Sequence, residues 1–111
     1  MTLTNGNLYL NAGGVLVYND GTLTVGGDII GASPTSNFHN RTNATLNIAG
    51  SLLTSGAGGI LTTGPLGFVG NTVNYNGTGP QIIKVPGTTS PLSIRAYHHL
   101  KCSNTNIKTL Q

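Results

Sequence analysis

The sequence predicts an all-β chain wound as a parallel β-solenoid, or β-helix, of about five turns with a period of about 20–23 residues. Three observations carry this reading. Residues 22–30, TLTVGGDII, return 23 positions later as TLNIAGSLL at 45–53, with each apolar position kept apolar and a Gly kept at 27 and 50. Self-similarity at a fixed period of roughly 20 to 50 residues marks a solenoid or array, because one unit cannot bury its apolar face alone. Only 6% of residues are charged while 37% are hydrophobic. Against roughly 25% charged residues in an average soluble domain, that excludes an ordinary helical protein, and adequate hydrophobicity at low charge excludes a disordered one. Short alternating apolar runs bounded by Gly and Asn recur along the chain, spaced too tightly for helices. The rival fold is an antiparallel β-sandwich, which suits short strands with turn signals but predicts no stacking of Leu23 on Leu46.

Taken in order, Leu3, Leu8-Tyr9-Leu10 and Val15-Leu16-Val17-Tyr18 form the first turn, separated by Asn5-Gly6 and Ala12-Gly13-Gly14. After the Asp20-Gly21 turn, alternation places Leu23 and Val25 inward and Thr22 and Thr24 outward. Gly26-Gly27 makes a corner, and Ile29-Ile30 starts the next side. Residues 33–43 interrupt the pattern with Pro34, Phe38, His39 and Arg41, and are read as an excursion loop. The third turn repeats Leu46-Asn47-Ile48, a Gly50 corner and Leu52-Leu53, then reaches Ile60-Leu61. Val73-Asn74-Tyr75 and Ile82-Ile83-Lys84-Val85 follow as strand, turn and strand. A second excursion at 86–97 precedes a last segment with Tyr97, Leu100, Cys102, Ile107 and Leu110. A chain of 111 residues suits one domain, 1–111, with a modest continuous core.

The net charge of +3 rests on five cations against two acids. The cations are scattered singly, whereas nucleic-acid binding draws on Lys and Arg clustered on one face, so no nucleic-acid partner is expected. Both acids, Asp20 and Asp28, lie early, and four of the five cations follow residue 83, giving one end of the coil a slightly negative and the other a positive character. No run of 18 apolar residues spans a membrane. The start, MTLTNGNLYL, has neither a basic nor an apolar leader region, so a secreted form is expected to be a mature fragment.

The stretch TVNYNGTGPQIIKVPGTTSPLSIRAYHHLKCSNTNIKTL, from Thr72 to Leu110, resembles a module repeated in very large secreted, adhesin-like surface proteins of Gram-negative bacteria. Those units carry a strand ending in FNGTGxQTI, a loop, and YYNLTLSGSGTKTL. Tyr75-Asn76-Gly77-Thr78-Gly79, Gln81-Ile82, Tyr97, Leu100, Ser103 and Lys108-Thr109-Leu110 occupy matching positions. GNLYLNAGGVLVYNDGTLTVGGDI near the start resembles the GNLTLNxGxTLxxxxGTLTVGG pattern that follows KTL in such proteins. The likeness covers most of the chain in permuted order, and departs from the pattern at 33–43 and at His98, His99 and Cys102. It implies an extracellular or cell-surface β-solenoid with adhesive or scaffolding work, and carries over no catalytic residue.

Chemistry-bearing residues are few. Glycoside cleavage uses paired carboxylates, and with no Glu the only acids are Asp20, a turn residue before Gly21, and Asp28, replaced by Ser51 in the repeat. The same scarcity argues against a calcium site. Alternation sets His98, Leu100 and Cys102 on one face and His99 and Lys101 on the other, so the adjacent histidines diverge and only distant His39 is left for a zinc site. Cys102 stands where the resembling modules place an apolar core residue, and reads as a buried small hydrophobe. No enzyme activity, metal or cofactor is expected. The Thr-x-Thr pairs at 2–4 and 22–24 hint at an ice-binding face, but Asn47 and Asn74 break the rank. The candidate contact surface is Phe38, His39 and Arg41 with Arg95 and Tyr97, whose partner would be a surface glycan. That is the alternative function: a carbohydrate-binding, less readily polysaccharide-cleaving, module. The main expectation is a structural subunit stacking end to end on copies of itself, or as tandem copies in a longer chain, through edges at Leu3, Leu8, Leu10, Ile107 and Leu110.

Overall fold

The computed structural model describes residues 1–11, 14–31, 36–52, 57–61, 69–84 and 97–110, with side chains omitted from description at 57–61. The strands are β1 (Thr2–Leu3), β2 (Leu8–Leu10), β3 (Leu16–Asn19), β4 (Thr22–Val25), β5 (Ile29–Gly31), β6 (Ser36–Asn40), β7 (Thr45–Ile48), β8 (Ala57–Leu61), β9 (Thr72–Tyr75), β10 (Gln81–Ile83), β11 (His99–Cys102) and β12 (Lys108–Leu110). Every described strand pair is parallel. The chain is therefore a parallel β-solenoid, and the sandwich is excluded.

One side is a five-stranded sheet, β1-β4-β7-β9-β11; the second holds β2-β5, with an isolated Ile29–Leu52 bridge, and the pair β10-β12; the third is β3-β6-β8. The coil is closed on all three sides for about three turns, fewer than the five expected, because the fourth and fifth turns are described on two sides only. Along the five-stranded side Thr2 pairs with Thr24, Thr22 with Thr45, Thr45 with Thr72 and Thr72 with His99. The stacked neighbours Thr24 and Asn47 stand 23 positions apart, but Asn47 and Asn74 stand 27 apart. The expected period thus holds for the first turns and lengthens afterwards. The lengthening lies in connections: His39 pairs with Leu61, and β7 begins six positions after His39 whereas β9 begins eleven after Leu61.

The core is a set of columns. Leu23 stacks on Leu46, Val73 and then Leu100; Leu3 stacks on Val25, Ile48, Tyr75 and then Cys102. Val25, Ile48, Leu46, Val73 and Tyr75 are fully buried, joined by Leu10, Ile29, Phe38, Leu52 and Ile83. Burial of this apolar area, worth roughly 25 cal/mol per Å², drives the winding. Period-2 alternation does the sorting, as in β4, where Leu23 and Val25 are buried and Thr22 and Thr24 are not.

Within the excursion expected at 33–43, the described residues, 36–43, stay on the coil. Ser36–Asn40 is a full strand of the third side, with Ser36, Phe38 and Asn40 buried and Asn37 and His39 facing out. Only one of its three inward residues is apolar. The inward amide is accommodated because Asn40 lies in a buried ladder: Asn19 Nδ2 donates to Asn40 Oδ1 at 2.7 Å, Asn40 Nδ2 donates to the Thr72 carbonyl at 2.9 Å, and Asn71 Nδ2 donates to the Asn40 carbonyl at 2.9 Å. Each amide satisfies a group that burial would otherwise strand. The excursion expected at 86–97 lies outside the described residues apart from Tyr97.

Corners are tight and stacked. Asn7 Oδ1 accepts the Asp28 N–H at 2.8 Å, and Asp28 Oδ1 accepts the Ser51 N–H at 2.7 Å, so Asp28 is a rung of a corner ladder. Asn43 and Gly70, one turn apart, both adopt left-handed backbone, with φ of 59° and 71°. Asn and Gly are the residues that enter this region at least cost.

Candidate functional site

Of the expected contact residues, the face around β3 and β6 carries His39 and Arg41. Phe38 is not part of it: its side chain is fully buried, stacked in register with Val17. His39 faces outward in register with Tyr18, their rings meeting edge to face at 5.3 Å. Arg41 lies with its guanidinium 5.1 Å from the Tyr18 ring centre and bonds Asp20 through Nε and Nη1, each at 3.2 Å. The Arg41 charge is thus already matched by Asp20. Tyr18, 52% exposed, is the residue of this face that sequence reasoning missed, because in the run Val15 to Tyr18 it reads as one more apolar strand residue. Arg95 lies outside the described residues.

Tyr97 belongs to an interior arrangement. The Lys84 N–H donates to Tyr75 Oη at 3.0 Å, the two phenol oxygens are 3.0 Å apart, and Tyr97 Oη donates to the Lys84 carbonyl at 2.5 Å. Donor counting orients the middle bond: Tyr97 spends its proton on Lys84, so Tyr75 donates to Tyr97. Burial raises both phenol pKa values above the ordinary tyrosine range, Tyr97 the further because Tyr75 lies beside it. This is a structural clamp across the β9–β10 turn, and Tyr97 is not free to read a ligand.

The two ends of the coil form the other candidate surface. At the first turn Leu3 and Leu8 are partly buried edge residues, but Leu10 is 1% exposed and belongs to the core. It is set in register with Gly31, so sequence position alone misplaced it at the edge. At the last turn Leu100, Ile107 and Leu110 are exposed, the last two at 70%. Cys102 is exposed rather than buried as expected. It occupies an inward column over Tyr75, but no described strand follows to cover it. His98 precedes β11, so strand alternation does not govern it; its ring meets His99 edge-on at 4.5 Å instead of diverging.

No protein-family model, curated protein or solved structure matches this chain.

Among the described residues, no three His, Cys, Asp or Glu side chains gather to hold a metal, and no helix is long and apolar enough to cross a membrane. The half-buried Thr24, Asn47 and Ser103 and the buried Asn74 do form a continuous ladder, with Asn47 donating to Thr24, Asn74 to Asn47 at 3.0 Å and Ser103 to Asn74 at 2.8 Å. The Asn residues that break the Thr rank therefore bond one another along the coil axis. What the described surface offers chemically is edge pairing: open parallel strands at both ends, backed by apolar columns that stop without a covering layer.

Proposed function

We propose that this chain is a structural or adhesive module of an extracellular fibre or cell-surface protein, joined end to end by β-stacking. The observation that supports the reading is that columns fully buried within the coil end in exposed Leu100, Cys102 and Leu110. The outer edge of β11 carries no strand partner among the described residues. Natural proteins blunt such edges with charge, Pro, bulges or covering elements. Lys101 and Lys108 are the only Lys or Arg side chains on β11 and β12, and Lys108 folds inward to Gln81 Oε1 at 2.5 Å and the Gly77 carbonyl at 2.9 Å. A stacked copy would complete the hydrogen-bond ladder and bury the open columns together.

Low charge, the Asn, Gly and Thr content and the resemblance to adhesin modules support the extracellular assignment. Carbohydrate recognition is the lesser reading, because its proposed loop is a strand with Phe38 inside it and Arg41 paired to Asp20. Electron microscopy of the purified chain near neutral pH tests the assembly reading. Filaments with a layer line near about 4.8 Å along the axis are expected. A solution of discrete monomers at high concentration would sink it.

A further inference from the structure

We propose that the joining copy docks in one register, with β1 of the next chain pairing in parallel to β11, so that Leu3 lies beside Cys102, Thr2 beside Lys101 and Met1 beside Leu100. This rests on the end-stacking reading and goes past it by naming the side chains that meet. The partner is a second copy of this chain in head-to-tail orientation.

The five-stranded side supplies the register. Its strands keep the same columns through every pairing: Leu3, Val25, Ile48, Tyr75, Cys102 in one, and Thr2, Thr24, Asn47, Asn74, Lys101 in the next. Continuing those columns one step beyond β11 arrives at β1 of the following copy. Leu100 and Cys102 are exposed although their partners Val73 and Tyr75 are fully buried, and no described strand covers them.

The opposite end holds a hollow. A cavity of about 320 Å³ opens there, lined by Met1, Leu8, Val17, Thr22 and Leu23 among others. Leu23 belongs to the column that Leu100 ends, and Met1 lies ahead of it in the same register, so the hollow sits where that column begins. Charge selects the polarity. The protein's two acids, Asp28 and the Arg41-paired Asp20, both precede β5, whereas Lys101 and Lys108 follow β10 with no acid beside them among the described residues. Head-to-tail contact sets the cationic turn toward the acid-bearing end, whereas tail-to-tail contact opposes like charges and makes the pairing antiparallel.

Neighbouring strands lie about 4.8 Å apart, inside the roughly 4.4–6.8 Å Cα separation that a disulfide spans. In the full chain, Leu3→Cys is therefore expected to join Cys102 of the adjacent copy under mild oxidation, converting the monomer band on a non-reducing denaturing gel into a ladder that collapses with reductant. Adding Cys102→Ser abolishes the ladder. A second pair on the outward column, Thr2→Cys with Lys101→Cys and Cys102→Ser, gives the same ladder without touching the core. Filaments that show no ladder with either pair would overturn the register while leaving end-stacking standing. Absence of both filaments and ladders would overturn the two together.

Discussion

Asn19 and Asn40 are buried one above the other, the Nδ2 of the first 2.7 Å from the Oδ1 of the second. The pair holds the edge between the third side of the coil and the five-stranded side, since Asn19 also donates to the Thr45 carbonyl at 3.0 Å and Asn40 to that of Thr72 at 2.9 Å. Replacing Asn40 with Ala strands the Thr72 carbonyl and removes the acceptor of Asn19. Unsatisfied buried groups cost about 1–3 kcal/mol each. Chemical denaturation of Asn40→Ala is expected to show a loss on the order of 2–4 kcal/mol with an unchanged denaturant slope.

Glycine at the stacked corner is a matter of room. A Cβ on Gly77 would lie 2.1 Å from the Ala49 carbonyl oxygen, a backbone atom with no freedom to swing aside, while one on Gly79 meets nothing within 4 Å. Gly77→Ala is expected to lower the melting temperature by the equivalent of about 1–3 kcal/mol, as overpacking does. Gly79→Ala serves as the neutral comparison, and equal effects from both would count against the stacked-corner geometry.

Phe38 and Arg41 separate core from surface within one stretch of sequence. Phe38→Ala empties a fully buried site and is expected to cost about 3–5 kcal/mol. The exposed Arg41–Asp20 pair should contribute less than about 1 kcal/mol, so Arg41→Ala leaves thermal stability nearly unchanged. A fully stable Phe38→Ala variant would restore the excursion-loop reading.

Alkaline titration reads the phenol clamp. Tyr75 and Tyr97 have pKa values raised by burial, so the folded state holds these protons more tightly than the unfolded chain. The stability they contribute is fully present below the unfolded tyrosine pKa of about 10 and is lost as pH rises above it toward the folded values. The tyrosinate absorbance of these two residues is expected to rise together with loss of β circular dichroism, and Tyr97→Phe should shift that transition. Ionisation of both in a chain that stays folded would refute the buried geometry.

Leu10 and Leu110 test the ends. Leu110→Arg places a cation on a residue 70% exposed, so the isolated chain should keep its stability within about 0.5 kcal/mol while filament length falls sharply in micrographs. Leu10→Arg buries an unpaired charge and should unfold the chain. Undiminished filaments from Leu110→Arg would remove that end from the interface.

The solenoid is legible in the sequence because its columns repeat there: Leu23 over Leu46 and Val25 over Ile48 are apolar positions one repeat apart. What hydrophobic patterning does not reveal are the inward polar positions. In Ser36–Asn40 only Phe38 marks the buried face, and Asn40 is explained by partners far along the chain, Asn19 on one side and Thr72 on the other. The buried amides offer no simple period either, since Asn19, Asn40 and Asn71 stand three, five and one positions before the next strand of the five-stranded side. Tyr97 misleads for a related reason, since its role depends on a phenol 22 positions away. The exposure of Ile107 and Leu110 follows from their place in the last turn, while Leu10 shows that a first-turn residue can still be enclosed.

The interchangeable columns make the size of this protein a whole number. Residues 22–44 form one complete coil, after which Thr45 takes the place of Thr22. A gene that lost or duplicated that segment would yield a coil shorter or longer by a single layer, about 4.8 Å, with Gly21 leading into Thr45 after a loss and Ala44 into Thr22 after a duplication, a face-matched strand in either case. Such a scaffold can evolve by copying and slippage, acquiring length before it acquires any new chemistry.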